Sequence, residues 1–238
     1  MIMPYVGFID DYKLEEVVSN TLTVAERALN ASDKKFEKNV IDPFLAIFEI
    51  AGFGVDSATW LNNEKMRQAQ KSLSNHIGIF HQYLLGSIDG WQSLPTGEIV
   101  DIVCHDRKII AEIKNKHNTI KGSNKSDLYY NLESLVMQKK QAYKDYTAYY
   151  VEIIPKKPVR YDEPFTPSDS SKGAKCAYNE KVRVIDGYSF YALVTGIDNA
   201  LEELFNALPL VIQSLKPNIN KNDLGNMIKY FNLAFSGK

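Results

Sequence analysis

Two apolar, β-branched runs, Ile99-Val100-Asp101-Ile102-Val103-Cys104-His105 and Lys108-Ile109-Ile110-Ala111-Glu112-Ile113-Lys114, flank Asp106-Arg107 and predict a β-hairpin. A two-residue loop fixes its register, so that His105 faces Lys108, Val103 faces Ile110 and Asp101 faces Glu112. Directly opposed residues hold their Cβ atoms about 4.5–5.5 Å apart. Two carboxylates therefore lie side by side in strands that are otherwise apolar, an arrangement stable only when a cation sits between them or one keeps its proton. Lys114 lies two residues beyond Glu112, and the period of two in a strand puts its amine on the same face. Glu98 differs from Asp101 by three positions and points to the other face.

Charge is distributed in a way that bears on partners. The net charge is −1, but residues 1–106 carry 8 Lys/Arg against 15 Asp/Glu, whereas residues 107–144 carry 9 against 3. A basic segment that begins at the hairpin suits a polyanion. The longest apolar runs, such as Ala207-Leu-Pro-Leu-Val-Ile212, are too short to span a membrane, and the start of the chain has no secretory pattern. A cytoplasmic protein with no membrane partner is expected. Cys104 and Cys176 have neither metal nor redox spacing.

The remainder reads as α/β (α+β), a single domain over 1–238 made of a mixed β-sheet flanked by helices with a helical N-terminal region. Residues 1–90 are mainly helical, 91–154 form the core, 155–181 a long loop excursion, and 182–238 a hairpin and C-terminal helices. Asp10-Asp11 caps a helix carrying Leu14, Val17, Val18, Leu22, Ala25 and Leu29 at the 3.6 period. A second helix opens at Ser32, and Asp42-Pro43 either kinks it or begins another. A long helix from Asn62-Asn63 to about Leu85 carries a polar stripe of Glu64, Lys71, Asn75 and Gln82. A helix from Ser126 or Asp127 to about Tyr143, a strand over Tyr146–Ile154, a hairpin turning at Asp186-Gly187, and helices over Asp198–Leu215 and Asn222–Phe235 complete the expectation.

Asp101 followed by Glu112-x-Lys114 on the next strand is the PD-(D/E)xK pattern. The block Glu112-Ile-Lys-Asn-Lys-His-Asn-Thr119 with Lys121-Gly-Ser resembles the active-site block of type II restriction endonucleases that cut GGNCC-like sites. The similarity extends through Glu64-x-x-Arg67-Gln68-x-x-Lys71, Asn75, Gly78, Phe80-His81-Gln82 and Asp186-Gly187-x-x-Phe190-Tyr191, and so covers most of the chain. Val100 stands where the pattern has its Pro, a departure that leaves the carboxylates and the lysine intact.

The resemblance implies a restriction-endonuclease-like core and Mg²⁺-dependent hydrolysis of double-stranded DNA at a short specific site. Asp101, Glu112 and the backbone carbonyl of Ile113 would ligate the Mg²⁺, for which oxygen donors are suited. Lys114 would position the attacking water. In this family an upstream helix often adds a third acid; Glu64 is the candidate, with Gln82 nearer in sequence and Glu37 and Glu49 left open. Lys116, Lys121 and Lys125 are placed to meet backbone phosphates. Lys156, Lys157 and Arg160, in the long excursion, are candidate DNA contacts that could read bases. A palindromic site cut on both strands further implies a homodimer. Two rivals stand beside this reading: a PD-(D/E)xK nuclease of repair or recombination, and a DNA-binding protein on the same fold that has lost catalysis.

Overall fold

A computed structural model describes residues 3–31, 36 and 38–236. The helix expected at Ser32 begins outside the described residues. Six strands form one sheet in the order β1-β2-β3-β4-β8-β5: β1 (Gln92–Ser93), β2 (Ile102–Cys104), β3 (Ile109–Lys116), β4 (Thr147–Ile154), β8 (Val182–Asp186) and β5 (Asp162–Pro164). The central strands β3, β4 and β8 are parallel; β1, β2 and β5 run antiparallel to their neighbours. The fold is thus the mixed, helix-flanked sheet expected.

The hairpin has the expected register, with Ile102, Val103 and Cys104 opposite Ala111, Ile110 and Ile109. Its loop is longer than expected. Lys108 adopts φ 53, and its N–H donates to the His105 carbonyl at 3.1 Å, which closes a four-residue turn over 105–108.

Alternation along the strands sends their side chains into two different layers. Ile109, Ala111 and Ile113 of β3, with Tyr149, Val151 and Ile153 of β4, pack beneath α1 (Asp11–Leu29), α3 (Ser57–Gly86), α5 (Gly187–Thr195) and α6 (Ala200–Leu215). Ile110, Ala148, Tyr150 and Val182 face the opposite way, onto Leu128, Tyr129, Leu132 and Val136 of α4 (Gly122–Met137). Helix α4 is the crossover from β3 to β4, and it begins four residues before the expected Ser126. Lys125 consequently sits in the first turn of a packed helix.

Other boundaries differ from expectation for local reasons. Asp42 caps a separate helix, α2 (Pro43–Phe53), by accepting from the Phe44 and Leu45 N–H groups, and Gly54 closes it at φ 65. Asp56 caps α3 through Thr59 N–H, so that helix starts five residues before Asn62. The hairpin expected at Asp186-Gly187 is instead a strand-to-helix junction. Asp186 accepts from Ser189 N–H at 3.0 Å as the N-cap of α5, and Gly187 lies so close to β4 that a Cβ there would stand 2.4 Å from the Ile153 carbonyl oxygen. The last helical run is broken into α7 (Lys221–Gly225) and α8 (Ile228–Phe235), and the long excursion contributes β5 and the small ribbon β6 (Ser168–Asp169) with β7 (Ala174–Lys175).

Candidate active site

On the α4 side of the sheet, composition changes part-way along β3 and β4. Ile110 and Ala148 are apolar and buried, but the next residues on that face are Glu112 and Lys114 on β3, with Tyr150 and Glu152 beside them on β4. These residues mark the carboxyl ends of parallel strands, where open α/β sheets place their ligands.

Asp101 lies one residue before β2, at a bend beyond the last paired residue Ile102, and its carboxylate sits beside that of Glu112. Its N–H donates to the Ala111 carbonyl at 2.8 Å, and its Oδ2 accepts from the Ile113 N–H at 2.6 Å. The backbone of β3 thus clamps this carboxylate against Glu112. From helix α3, Gln82 reaches the same point, where Nε2 donates to the Leu94 and Asp101 carbonyls at 3.1 and 3.2 Å. The Lys114 amine pairs with Glu112 Oε1. Burial first, and the Asp101 charge second, push the Glu112 carboxyl up to about 7 despite the opposing pull of Lys114.

Among the described residues no group of three or more His, Cys, Asp or Glu side chains converges as a metal cage. The available donors are two carboxylates and the Ile113 carbonyl. That set fits a hard divalent cation such as Mg²⁺, which commonly takes one or two carboxylates and completes its shell with water and phosphate oxygen. The raised affinity of Glu112 for a proton fits it too, because a cation between the two acids would offset both the burial and the Asp101 charge that raise this pKa.

A second charged group, for which the sequence offers only a faint signal, adjoins the first. Glu152, paired across the sheet with Lys114, is buried; it accepts from Lys125 Nζ at 2.6 Å and from the Tyr161 hydroxyl at 2.7 Å. The Tyr150 hydroxyl is buried without a hydrogen-bond partner among the described residues. Burial, then the charges of Glu152 and Glu112, push the tyrosine's pKa up and keep it protonated. Asp186 continues the row on β8, accepting from the Tyr161 N–H at 2.7 Å. The signal for Glu152 is a lone carboxylate within the run Tyr149-Tyr-Val-Glu-Ile-Ile154.

Other sequence candidates fall elsewhere. Glu64 is not brought to the hairpin. Its carboxylate is held by Arg67 at 2.5 and 2.6 Å and by Gln68 at 2.9 Å, with Arg67 lowering its pKa. Eighteen residues of α3, about 27 Å of helix, separate it from Gln82. Lys116 ends β3 on the same face as Glu112 and Lys114 and is exposed, as are Lys121, Lys156 and Lys157. Lys125 and Arg160 are engaged within the protein. Arg160 pairs with Asp198 at 2.7 Å and stacks 3.9 Å from the centre of the Tyr188 ring. His105 contacts the Tyr146 hydroxyl at the exposed turn, and His81 is buried against the Tyr191 hydroxyl at 2.8 Å.

Residues 6–216 match the Eco47II restriction endonuclease family, a span that takes in every strand of the main sheet. The chain belongs to that family. It is similar to the type II restriction enzyme Eco47II of Escherichia coli, with 44% identity over 239 residues covering 98% of this chain and 100% of the relative. It is also similar to the type II restriction enzyme Sau96I of Staphylococcus aureus, with 33% identity over 216 residues covering 89% of this chain and 81% of the relative. As an Eco47II-family protein the chain is a type II restriction endonuclease, a site-specific deoxyribonuclease. The family match ends just after α6, so α7 and α8 lie beyond it.

Proposed function

We propose that this enzyme hydrolyses double-stranded DNA at a short GGNCC-like site in the host cytoplasm, using Mg²⁺ and acting as a homodimer. Support comes above all from one observation: the Asp101 carboxylate, held by the Ile113 N–H, lies beside that of Glu112 at the carboxyl end of the sheet, with Lys114 paired to Glu112. Asp101, Glu112 and the Ile113 carbonyl would hold the metal, which would supply charge neutralisation at the scissile phosphate. Lys114, paired with Glu112 at the same point, orients the attacking water. Glu152, in place of Glu64, is the additional acid of this face, and it keeps a second carboxylate beside the Lys114 amine. Lys116, Lys121, Lys156 and Lys157 meet phosphates. Lys125 and Arg160 order the elements that carry them.

Digestion of a plasmid with and without Mg²⁺, followed by sequencing of the ends, tests the whole reading. Discrete fragments with a common GGNCC-like end, formed only with the metal, are expected. Fragments without a common site would favour a structure-directed repair nuclease. Binding without any cleavage would point to a protein that has lost catalysis.

A further inference from the structure

Helix α2 presents a surface that the rest of the described chain does not cover. Its sequence, Pro43-Phe-Leu-Ala-Ile-Phe-Glu-Ile-Ala-Gly-Phe53, holds one charge in eleven residues, yet none of its residues is buried. Glu49 accepts from Trp60 Nε1 at 2.8 Å, which turns that side of the helix toward α3. Phe44, Ile47, Phe48 and Ala51 follow at i, i+3, i+4 and i+7 and form a stripe on the opposite side. Phe44 and Phe48 are each 74% exposed and Ile47 is 65% exposed. The stripe leaves on the order of 450 Å² of apolar side chain in water. That is the size of the largest patch on an ordinary monomer, roughly 300–600 Å² and often functional, and about half of the ~800 Å² that each partner contributes to a stable interface.

We infer that the Phe44, Ile47, Phe48 and Ala51 stripe of α2 is a two-fold interface with a second copy of this chain. The inference rests on the homodimeric reading above and names the surface it uses. Three observations select this occupant. Helix α2 contains no cation, so nucleic acid has nothing to bind there. Eleven residues of helix extend about 16 Å, half the hydrocarbon thickness of a bilayer, and the next helix turns away by 117°. A single apolar stripe is self-complementary about a dyad, and the small Ala51 and Gly52 let two backbones approach.

The test compares wild type with Phe44→Asp/Phe48→Asp by sedimentation equilibrium in metal-free buffer, with Ile47→Cys as an independent probe under mild oxidation. A dimeric wild type, a monomeric aspartate variant with unchanged circular dichroism, and a disulfide-linked Ile47→Cys dimer are expected. The aspartate variant should also nick supercoiled plasmid with Mg²⁺ more than tenfold faster than it linearises it. A variant that stays dimeric overturns the surface, and a monomeric wild type overturns the dimer as well. Metal-dependent cleavage by the wild type is read separately, so failure of the catalytic reading stays distinguishable from either result.

Discussion

The two faces of the central sheet are built from alternate residues of the same strands, and they end differently. Toward α1, α3, α5 and α6, β3 and β4 stay apolar from Ile109 to Ile113 and from Tyr149 to Ile153. Toward α4, the apolar residues stop at Ile110 and Ala148, and Glu112, Lys114 and Glu152 take their places. The first face holds a buried polar pair, His81 with Tyr191, and burial alone lowers the imidazole to about 4 and raises the phenol. There, neutral groups satisfy each other and the layer closes. On the second face Glu112 is pushed toward neutrality by burial and by the like charge of Asp101, a conflict that the proposed cation would relieve. One face is settled by folding; the other keeps a charge conflict that the proposed cation would settle.

The sharpest way to break this contrast is at Glu112. Glu112→Gln, which removes the charge and keeps the shape, should lower cleavage by roughly a thousandfold or more, since several kcal/mol of charge neutralisation disappears. Calorimetric titration should also show weaker Mg²⁺ binding, and near-normal cleavage by this variant would refute the site. In the wild type the same carboxyl has a folded pKa raised from 4.5 to about 7. Its stabilising contribution is therefore complete below about 4.5 and is lost as pH rises through about 7. A cation must displace that proton, so Mg²⁺ affinity should rise with pH over this window, as titrations at pH 5.5, 6.5 and 7.5 would show.

On the closed face the sign is reversed. His81 has a folded pKa lowered from 6.5 to about 4, so its contribution is present above 6.5 and is lost as pH falls through about 4. It amounts to roughly 3 kcal/mol at most. His81→Gln keeps a partner for Tyr191 and removes the titration. Its denaturant midpoint should accordingly fall less between pH 7 and pH 4 than that of the wild type. Equal slopes would mean that this face is not closed at His81.

The smallest effects are expected outside both faces. Lys116→Ala or Lys121→Ala should weaken binding to every DNA sequence alike. The salt dependence should fall by about 0.9 for each phosphate that is no longer neutralised, as measured by fluorescence anisotropy at several salt concentrations. A change of site preference would make them base readers.

Legibility in the sequence follows from locality. The hairpin register and the pairing of Lys114 with Glu112 depend on a strand period and one short loop, and both hold in the structure, with the Asp101 carboxylate beside Glu112 although its backbone bonds Ala111. Asp42 and Pro43 likewise signal a helix start that needs no distant partner. The junction at Asp186-Gly187 reads as a hairpin turn in sequence because the cause of its glycine is the approach of Ile153, thirty-four residues away in the chain. Glu152 is hidden for a related reason. Nothing near it in sequence reveals that Lys125 and Tyr161, from two other elements, meet on its carboxylate. Glu64 lies on the helix whose other end, at Gln82, reaches Asp101, and its own carboxylate is taken up by Arg67 and Gln68.

The long excursion between β4 and β8 is tied down where a loop of its length would ordinarily be loose. Arg160 is held by Asp198 and Tyr188, Tyr161 by Glu152, and Asp169 by Tyr130 of α4. Ordering a free residue on binding costs about 1–2 kcal/mol of backbone entropy. For these anchored residues that cost falls at folding, before any partner arrives. The binding proposed for Lys156 and Lys157 therefore need not offset it. Loosening the anchors should slow productive encounters even though no group that touches the partner has changed.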